Sequence, residues 1–322
     1  AIILEHAIKV NKAATALITG VLCWTLFILS APDVHTVNES LLHQFSEIAS
    51  ILFFLLGAMV IVEVVDSHDG FTLITDIIKT TNKGKLLIII SFLTFFLSAL
   101  LDNLTTTIVM ISLIGKILSS KDDKWIFGGM IVIAANSGGA WSPLGDVTTT
   151  MLWIGGQITA PHIIASLFVP SLVAVLVPLI ILWFRYKDKF LNEGERKVST
   201  TIPDPHRNII FFTGIGCLIF VPVFKTVTHL PPFMGMMLAL GIIWLVMSNL
   251  DRSYIFEKER PYSVSSALER IDTPSILFFL GILLAVSALS SVGILGDLAA
   301  IMSSNFTGVE QVSVVMGLVS AV

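Results

Sequence analysis

Long apolar stretches separated by polar connections set the rhythm of this chain. Six of them, at 13–31, 48–65, 162–184, 207–224, 233–250 and 273–291, have the length that a bilayer demands of a helix, about 17–25 residues. Two further apolar regions are interrupted. The stretch 86–118 is broken by Asp102-Asn103, and 125–156 is broken by Asn136-Ser-Gly-Gly and again at 143–146. Backbone polar groups in hydrocarbon must be satisfied internally, so helices are predicted throughout. The four helix-weak residues from Asn136 predict an unwound stretch in mid-membrane.

The basic residues divide by connection. Lys9 and Lys12, Lys79 to Lys85, Lys116 to Lys124, Arg185 to Arg207 and Arg252 to Arg270 form one set of loops. The loops 32–47, 157–161 and 292–311 hold no Lys or Arg. By the positive-inside rule the first set is cytoplasmic and the second is not. Both flanks of 86–118 are Lys-rich, so its two arms should enter and leave by one face, a re-entrant hairpin with Asp102-Asn103 at the tip. Such backbone survives at membrane depth only where protein or a wet cavity covers it.

Composition agrees. Of 322 residues 55% are apolar and 13% charged, with mean hydropathy +0.90, whereas a soluble domain carries about 25% charged residues. The net charge of −4 gives no reason to expect a nucleic-acid partner. Cys23 and Cys217 lie in apolar runs and define neither a disulfide framework nor a metal site.

Ser50-Ile-Leu-Phe-Phe-Leu55 recurs as Ser275-Ile-Leu-Phe-Phe-Leu280. Each copy follows a span and a polar loop, and each precedes a short amphipathic stretch and an apolar arm. The two preceding loops fall on opposite sides, so the copies are inverted, as in secondary transporters whose site lies where the halves meet. The fold expected is therefore an all-α polytopic membrane protein of inverted structural repeats, with re-entrant hairpins and discontinuous transmembrane helices. Its first repeat is 1–184, holding the hairpin 86–118 and the broken helix 125–156. A cytoplasmic linker at 185–206 and a second repeat at 207–322 follow. Leu97-Ser-Ala-Leu100 leads into Asp102-Asn103, and the chain stops at the matching Val319-Ser-Ala-Val322. The opening Ala-Ile-Ile-Leu-Glu-His reads as the last turns of a span and not as a signal peptide. Both features predict a fragment truncated at each end, with another Asp-Asn soon after Val322.

Three acids fall in apolar segments, Glu63, Asp102 and Asp146, where a charge costs about 2.5–3.5 kcal/mol on insertion scales. Asn103, Thr105, Thr106 and Thr107, and then Asn136, Ser137, Ser142, Thr148, Thr149 and Thr150, surround them with neutral oxygens. Hard cations prefer such ligands, and carboxylates also take protons. Each has a plainer role: Asp102 as an N-cap, Asp146 in a solvated turn, Glu63 snorkelling, the threonines bonding back to their own helices. The seven histidines lie near span ends or in loops.

At these residues the sequence resembles the NhaD-type sodium/proton antiporter family of the wider ion-transporter superfamily. The resemblance rests on 4–12 (Leu-Glu-His-Ala-Ile-Lys-Val-Asn-Lys), 98–107 (Ser-Ala-Leu-Leu-Asp-Asn-Leu-Thr-Thr-Thr) and 135–149 (Ala-Asn-Ser-Gly-Gly-Ala-Trp-Ser-Pro-Leu-Gly-Asp-Val-Thr-Thr), and on the repeated hexapeptide. It implies exchange of Na+ or Li+ for H+, with a part in pH homeostasis, across a bacterial inner membrane or a plant organellar one. It also implies a homodimer in lipid, with a fixed scaffold and a moving transport domain. No cofactor is expected beyond the transported ions. The corresponding mechanism is competition of cation and proton for Asp102 and Asp146, with Asn103, Thr105, Asn136, Ser137 and Thr148 as neutral ligands and Glu63 as a proton relay. Burial favours the protonated acid and a bound cation the ionised one.

Three rivals share parts of the pattern. Di- and tricarboxylate or arsenite carriers use the same architecture, but two or three buried acids oppose an anion. An intramembrane aspartyl protease would need Asp102 and Asp146 as a dyad; here Pro143 stands where its Gly-x-Gly-Asp motif begins. A structural subunit would show no flux.

Overall fold

The computed structural model describes residues 11–68, 70–71, 73, 80–191, 206–251, 264–305 and 308–320. The motif at 4–12 lies almost wholly outside them, as do most of the linker 185–206 and the terminal Ala321-Val322. Among the described residues the secondary structure is helical, apart from an isolated antiparallel bridge between Asn82 and Phe190. The protein is all-α and polytopic: among the described residues six helices are long and apolar enough to cross a membrane. The chain divides into two compact units, Ala1–Leu52 with Asp272–Val322, and Phe53–Ile271.

In the first unit helix α1 (Lys12–Ser30) starts where the Asn11 side chain accepts the N–H of Ala13 at 2.8 Å. Helix α2 (Val34–Ser67) begins in this unit and runs on into the second. It departs from expectation, because its helix starts inside the stretch read as the polar loop 32–47. The Asp33 carboxylate accepts from the N–H of His35 at 3.0 Å and from the Thr36 hydroxyl, which caps a first turn that hydropathy alone does not mark. Helix α11 (Thr273–Val292) packs along α1. A Cβ on Gly20 would stand 2.7 Å from the Gly281 carbonyl oxygen, so small residues let the backbones touch, as membrane helix pairs require. The Trp24 indole donates to the Leu284 carbonyl at 3.0 Å. The expected loop 292–311 is also largely helical, with Ile294–Asn305 (α12) followed by Val309–Ser320 (α13).

The second unit holds the polar motifs. Helix α3 (Lys83–Ser98) and helix α4 (Asn103–Ile117) are joined by a turn at 99–102. Helix α5 (Lys121–Ala140) packs on both, and the eight-residue α6 (Val147–Ile154) continues from it after a break. Helix α7 (Ala160–Tyr186) packs on α3 and α5. Its outward positions Val169, Val173, Val177, Ile181 and Phe184 are all more than half exposed, which suits lipid and not water. Helices α8 (Arg207–Thr228) and α9 (Pro232–Asp251) form a further pair, and α10 (Val264–Arg270) closes the unit.

The Lys-rich ends of α3, α5 and α7 are tied together. Lys83 Nζ lies 2.7 Å from Asp123 Oδ2, and Tyr186 donates its hydroxyl to Asp123 Oδ1 at 3.0 Å. All three side chains are buried. The Lys83 N–H donates to the Lys189 carbonyl, and the Leu191 N–H to the Thr81 carbonyl, each at 2.8 Å. The chain therefore leaves at Lys83, turns at Asp102 and is back beside its starting point by Asp123.

Candidate functional site

The site is assembled from the α3–α4 turn and the α5–α6 break. Asp102 is the N-cap of α4, its carboxylate accepting from the N–H of Thr105 at 2.8 Å and from the Thr105 hydroxyl at 2.6 Å. That capping geometry leaves Asp102 half-buried. Asp146 stands at the same position of α6 but makes no capping hydrogen bond, although the N–H groups of Val147 and Thr148 lie beside its carboxylate. The segments that carry Asp102 and Asp146 are packed together: a Cβ on Gly145 would meet the Ser98 carbonyl and the Ala99 backbone.

One sequence expectation is overturned here. Asn136-Ser-Gly-Gly is not unwound: α5 stays helical through Ala140, and the break occupies 141–146. The glycines serve close packing instead. A Cβ on Gly138 would collide with the Phe95 carbonyl, one on Gly139 with the Gly145 carbonyl, and one on Gly145 with the Ser98 carbonyl. Glycine costs a helix about 1 kcal/mol relative to alanine, which the surrounding contacts offset. Ser98 donates to the Ala135 carbonyl at 2.6 Å, and Ser142 donates to the Ala99 carbonyl. Trp141 stacks on Phe95 at 5.8 Å and meets Phe168 edge-on at 5.1 Å, wedging the chain open after α5. The first turn of α6 is fixed by Thr149, which shares its hydroxyl between the Ser142 and Asp146 carbonyls, and by Thr150, which donates to the Pro143 carbonyl at 2.8 Å.

Of the residues singled out from the sequence, Asp102 with Thr105 and Asn103 with Asn136 are joined by hydrogen bonds, and Asp146 lies on the break packed against their turn. The Asn103 amide donates to Asn136 Oδ1 at 3.0 Å, and Asn136 Nδ2 donates to the Val132 carbonyl at 2.8 Å. Ser137 is half-buried and Thr148 exposed; among the described residues neither hydroxyl is bonded to a carboxylate. Glu63 stands outside this group. Its partners are Ser67, whose hydroxyl lies 3.2 Å from Oε1, and Arg270 at 3.9 Å. Sequence reasoning missed Ser98, and it read Gly138 and Gly139 as helix breakers and Gly145 as a turn residue, whereas all four rivet the turn to the break. Thr106, one of the hydroxyls read from the sequence as lying around the acids, is fully buried in the first turn of α4 with its hydroxyl unpartnered.

The described residues hold no cluster of three or more His, Cys, Asp or Glu suited to a metal ion. Carboxylates on two segments packed together, with amide and hydroxyl oxygens beside them, are the kind of ligand a small hard cation takes. Ionisable groups gathered at breaks between apolar helices are a feature of secondary transporters. The chain belongs to the citrate transporter family, whose profile matches residues 1–322.

Among its curated relatives are two proteins of Arabidopsis thaliana. Sodium/proton antiporter 1 is 44% identical over 323 residues, covering 100% of this chain and 56% of the relative. Sodium/proton antiporter 2 is 41% identical over 325 residues, covering 100% of this chain and 76% of the relative. The Na(+)/H(+) antiporter NhaD of Alkalimonas amylolytica is 28% identical over 356 residues, covering 99% and 70%. The chain thus spans from about half to three-quarters of the length of these relatives.

Proposed function

We propose that this chain carries the cation site of a secondary transporter that exchanges Na+ or Li+ for H+ by alternating access. The observation that carries it is the seating of the Asp102 turn on the Asp146 break, which brings the two acid-bearing segments together inside an apolar helical unit. A carboxylate oxygen takes either a sodium ion or a proton, so each ligand displaces the other. Asn103 and Asn136 supply amide oxygens. Thr105 holds Asp102, and Ser137 and Thr148 offer further hydroxyls as the site rearranges. Glu63 is a proton-relay candidate apart from the cation group.

The names of the relatives support the choice of ions. On this reading α3–α4 is a re-entrant hairpin, α5–α6 is a discontinuous helix, and 1–184 and 207–322 are inverted repeats joined by a cytoplasmic linker. A homodimer in a bacterial inner membrane or a plant organellar membrane is the proposed assembly, with pH homeostasis as its use. The test is sodium-driven proton flux in vesicles containing the full-length protein. Asp102→Asn and Asp146→Asn are each expected to abolish exchange; normal exchange in both rejects the mechanism.

A second reading takes its support from the family's description as citrate transporters. Two adjacent carboxylates repel a carboxylate substrate, which favours the cation. Dissipation of a citrate gradient but not a sodium gradient reverses that choice.

A further inference from the structure

Lys225 is the unexpected charge in this molecule. Of the 19 Lys and Arg in the chain, it is the one that the loop topology places on the non-cytoplasmic side. It lies three residues before the end of α8, where a lysine can extend into water with little hindrance. It does not. Its ammonium donates to the Trp153 carbonyl at 2.8 Å and sits over the Trp153 ring, 4.3 Å from the centroid. Trp153 is buried and meets Phe54 edge-on at 6.4 Å.

Trp153 belongs to the last turn of α6, the short helix whose first residue follows Asp146. A helix of eight residues is marginal alone, and its C-terminal carbonyls need donors. The backbone meets part of that need: Gly155 N–H donates to the Met151 carbonyl, and Gly156, at φ +72°, donates to Trp153. Lys225 adds a cation at the negative end of the helix dipole, where a cation is stabilising. The near end of α6 is tied to the break through Thr149 and Thr150, the far end to α8 through Lys225. Between them lie about 12 Å of helix, with Asp146 at one end.

We propose that Lys225 is a positioning residue for the cation site: by holding the last turn of α6 against α8 it sets where Asp146 stands. This rests on the assignment of Asp146 to that site. A lysine that only packs there alters how much protein folds. A lysine that positions Asp146 alters how tightly the folded protein takes its cation, since shifts near 1 Å can cost about a hundredfold in a tuned site.

The experiment is sodium-driven proton flux in vesicles of the full-length protein, with the sodium KM and the maximal rate per folded protein measured for Lys225→Met, Lys225→Gln and Lys225→Arg. The Met variant keeps the apolar stem and loses the donor and the charge. Its sodium KM is expected to rise tenfold or more, and Arg, which can donate and stack, is expected to restore it to within about threefold. An unchanged KM in the Met variant overturns the proposal, as does a loss confined to the amount of folded protein. If the Met variant does not accumulate, Lys225→Gln decides by the same KM criterion. Absence of sodium-driven flux in the wild type instead rejects the sodium/proton reading, so the two failures are distinguishable.

Discussion

Removing one member of the buried Lys83–Asp123–Tyr186 group gives the most quantitative check on this structure. Lys83 and Asp123 have side chains 9% and 11% exposed and lie 2.7 Å apart, so solvent screens them little. Asp123→Asn leaves the ammonium buried without its counter-charge, a change that typically costs about 3–5 kcal/mol. Tyr186→Phe removes one hydrogen bond to a charged acceptor, worth about 1.5–3 kcal/mol. The double variant Lys83→Met with Asp123→Leu removes both charges and fills the space with apolar groups, so it is expected to lose only about 1–3 kcal/mol for the orphaned Tyr186 hydroxyl, less than the sum of the singles.

The assay is chemical unfolding of the purified protein in detergent, with the coupling taken from the double-mutant cycle. Burial pushes the Asp123 carboxyl up, but the hydrogen bonds from Lys83 and Tyr186, and the Lys83 charge, hold it below the ordinary carboxylate value. Its folded pKa is depressed, so the stabilisation is complete above the unfolded value, near pH 4, and disappears as pH falls through the lower folded one. Stability from this group is thus flat between about pH 5 and 8. Wild-type stability for Asp123→Asn, or a double variant as poor as the sum of the singles, refutes the buried-pair account.

Further expectations follow from the packing of the turn on the break. Gly145→Ala puts a methyl against the Ser98 carbonyl and the Ala99 backbone, and is expected to cost about 1–3 kcal/mol and to lower flux per folded molecule, read by unfolding and vesicle transport together. Gly281→Ala drives a methyl into the Ala16 backbone on α1 and should cost a similar amount, about 1–3 kcal/mol. Its transport per folded protein should be unchanged, because no cation ligand lies on those helices. Asn103→Ala and Asn136→Ala remove opposite ends of one 3.0 Å hydrogen bond; a cycle on sodium KM should show coupling of about 0.5–1.5 kcal/mol, and strict additivity argues that the amides do not share a task.

The spans were legible because lipid imposes length and hydropathy on a helix, and Asp102 because an Asp ahead of Leu-Thr-Thr-Thr caps a helix whatever its surroundings. The cap at Asp102 and the break near Asp146 could be placed on the chain, but their meeting could not. It depends on Ser98, Ser142 and three glycines, whose close packing leaves no mark in hydropathy or helix propensity. The same blindness misplaced the break. Asn136-Ser-Gly-Gly has poor helix propensity, yet buried contacts with Phe95 and Gly145 keep α5 wound to Ala140. The start of α2 in the expected loop was hidden because a capped polar helix and a polar loop have the same hydropathy. Lys225 and the Lys83–Asp123 pair were hidden differently, since a charge at a span end reads as topology until its partner is seen.

The most direct measurement is proton release when sodium is added to the purified full-length protein in weak buffer. Shared occupancy of Asp102 and Asp146 requires protons to appear as sodium binds, and requires the signal to vanish in Asp102→Asn and Asp146→Asn. Sodium binding without proton release, or release of the same size in both variants, contradicts it.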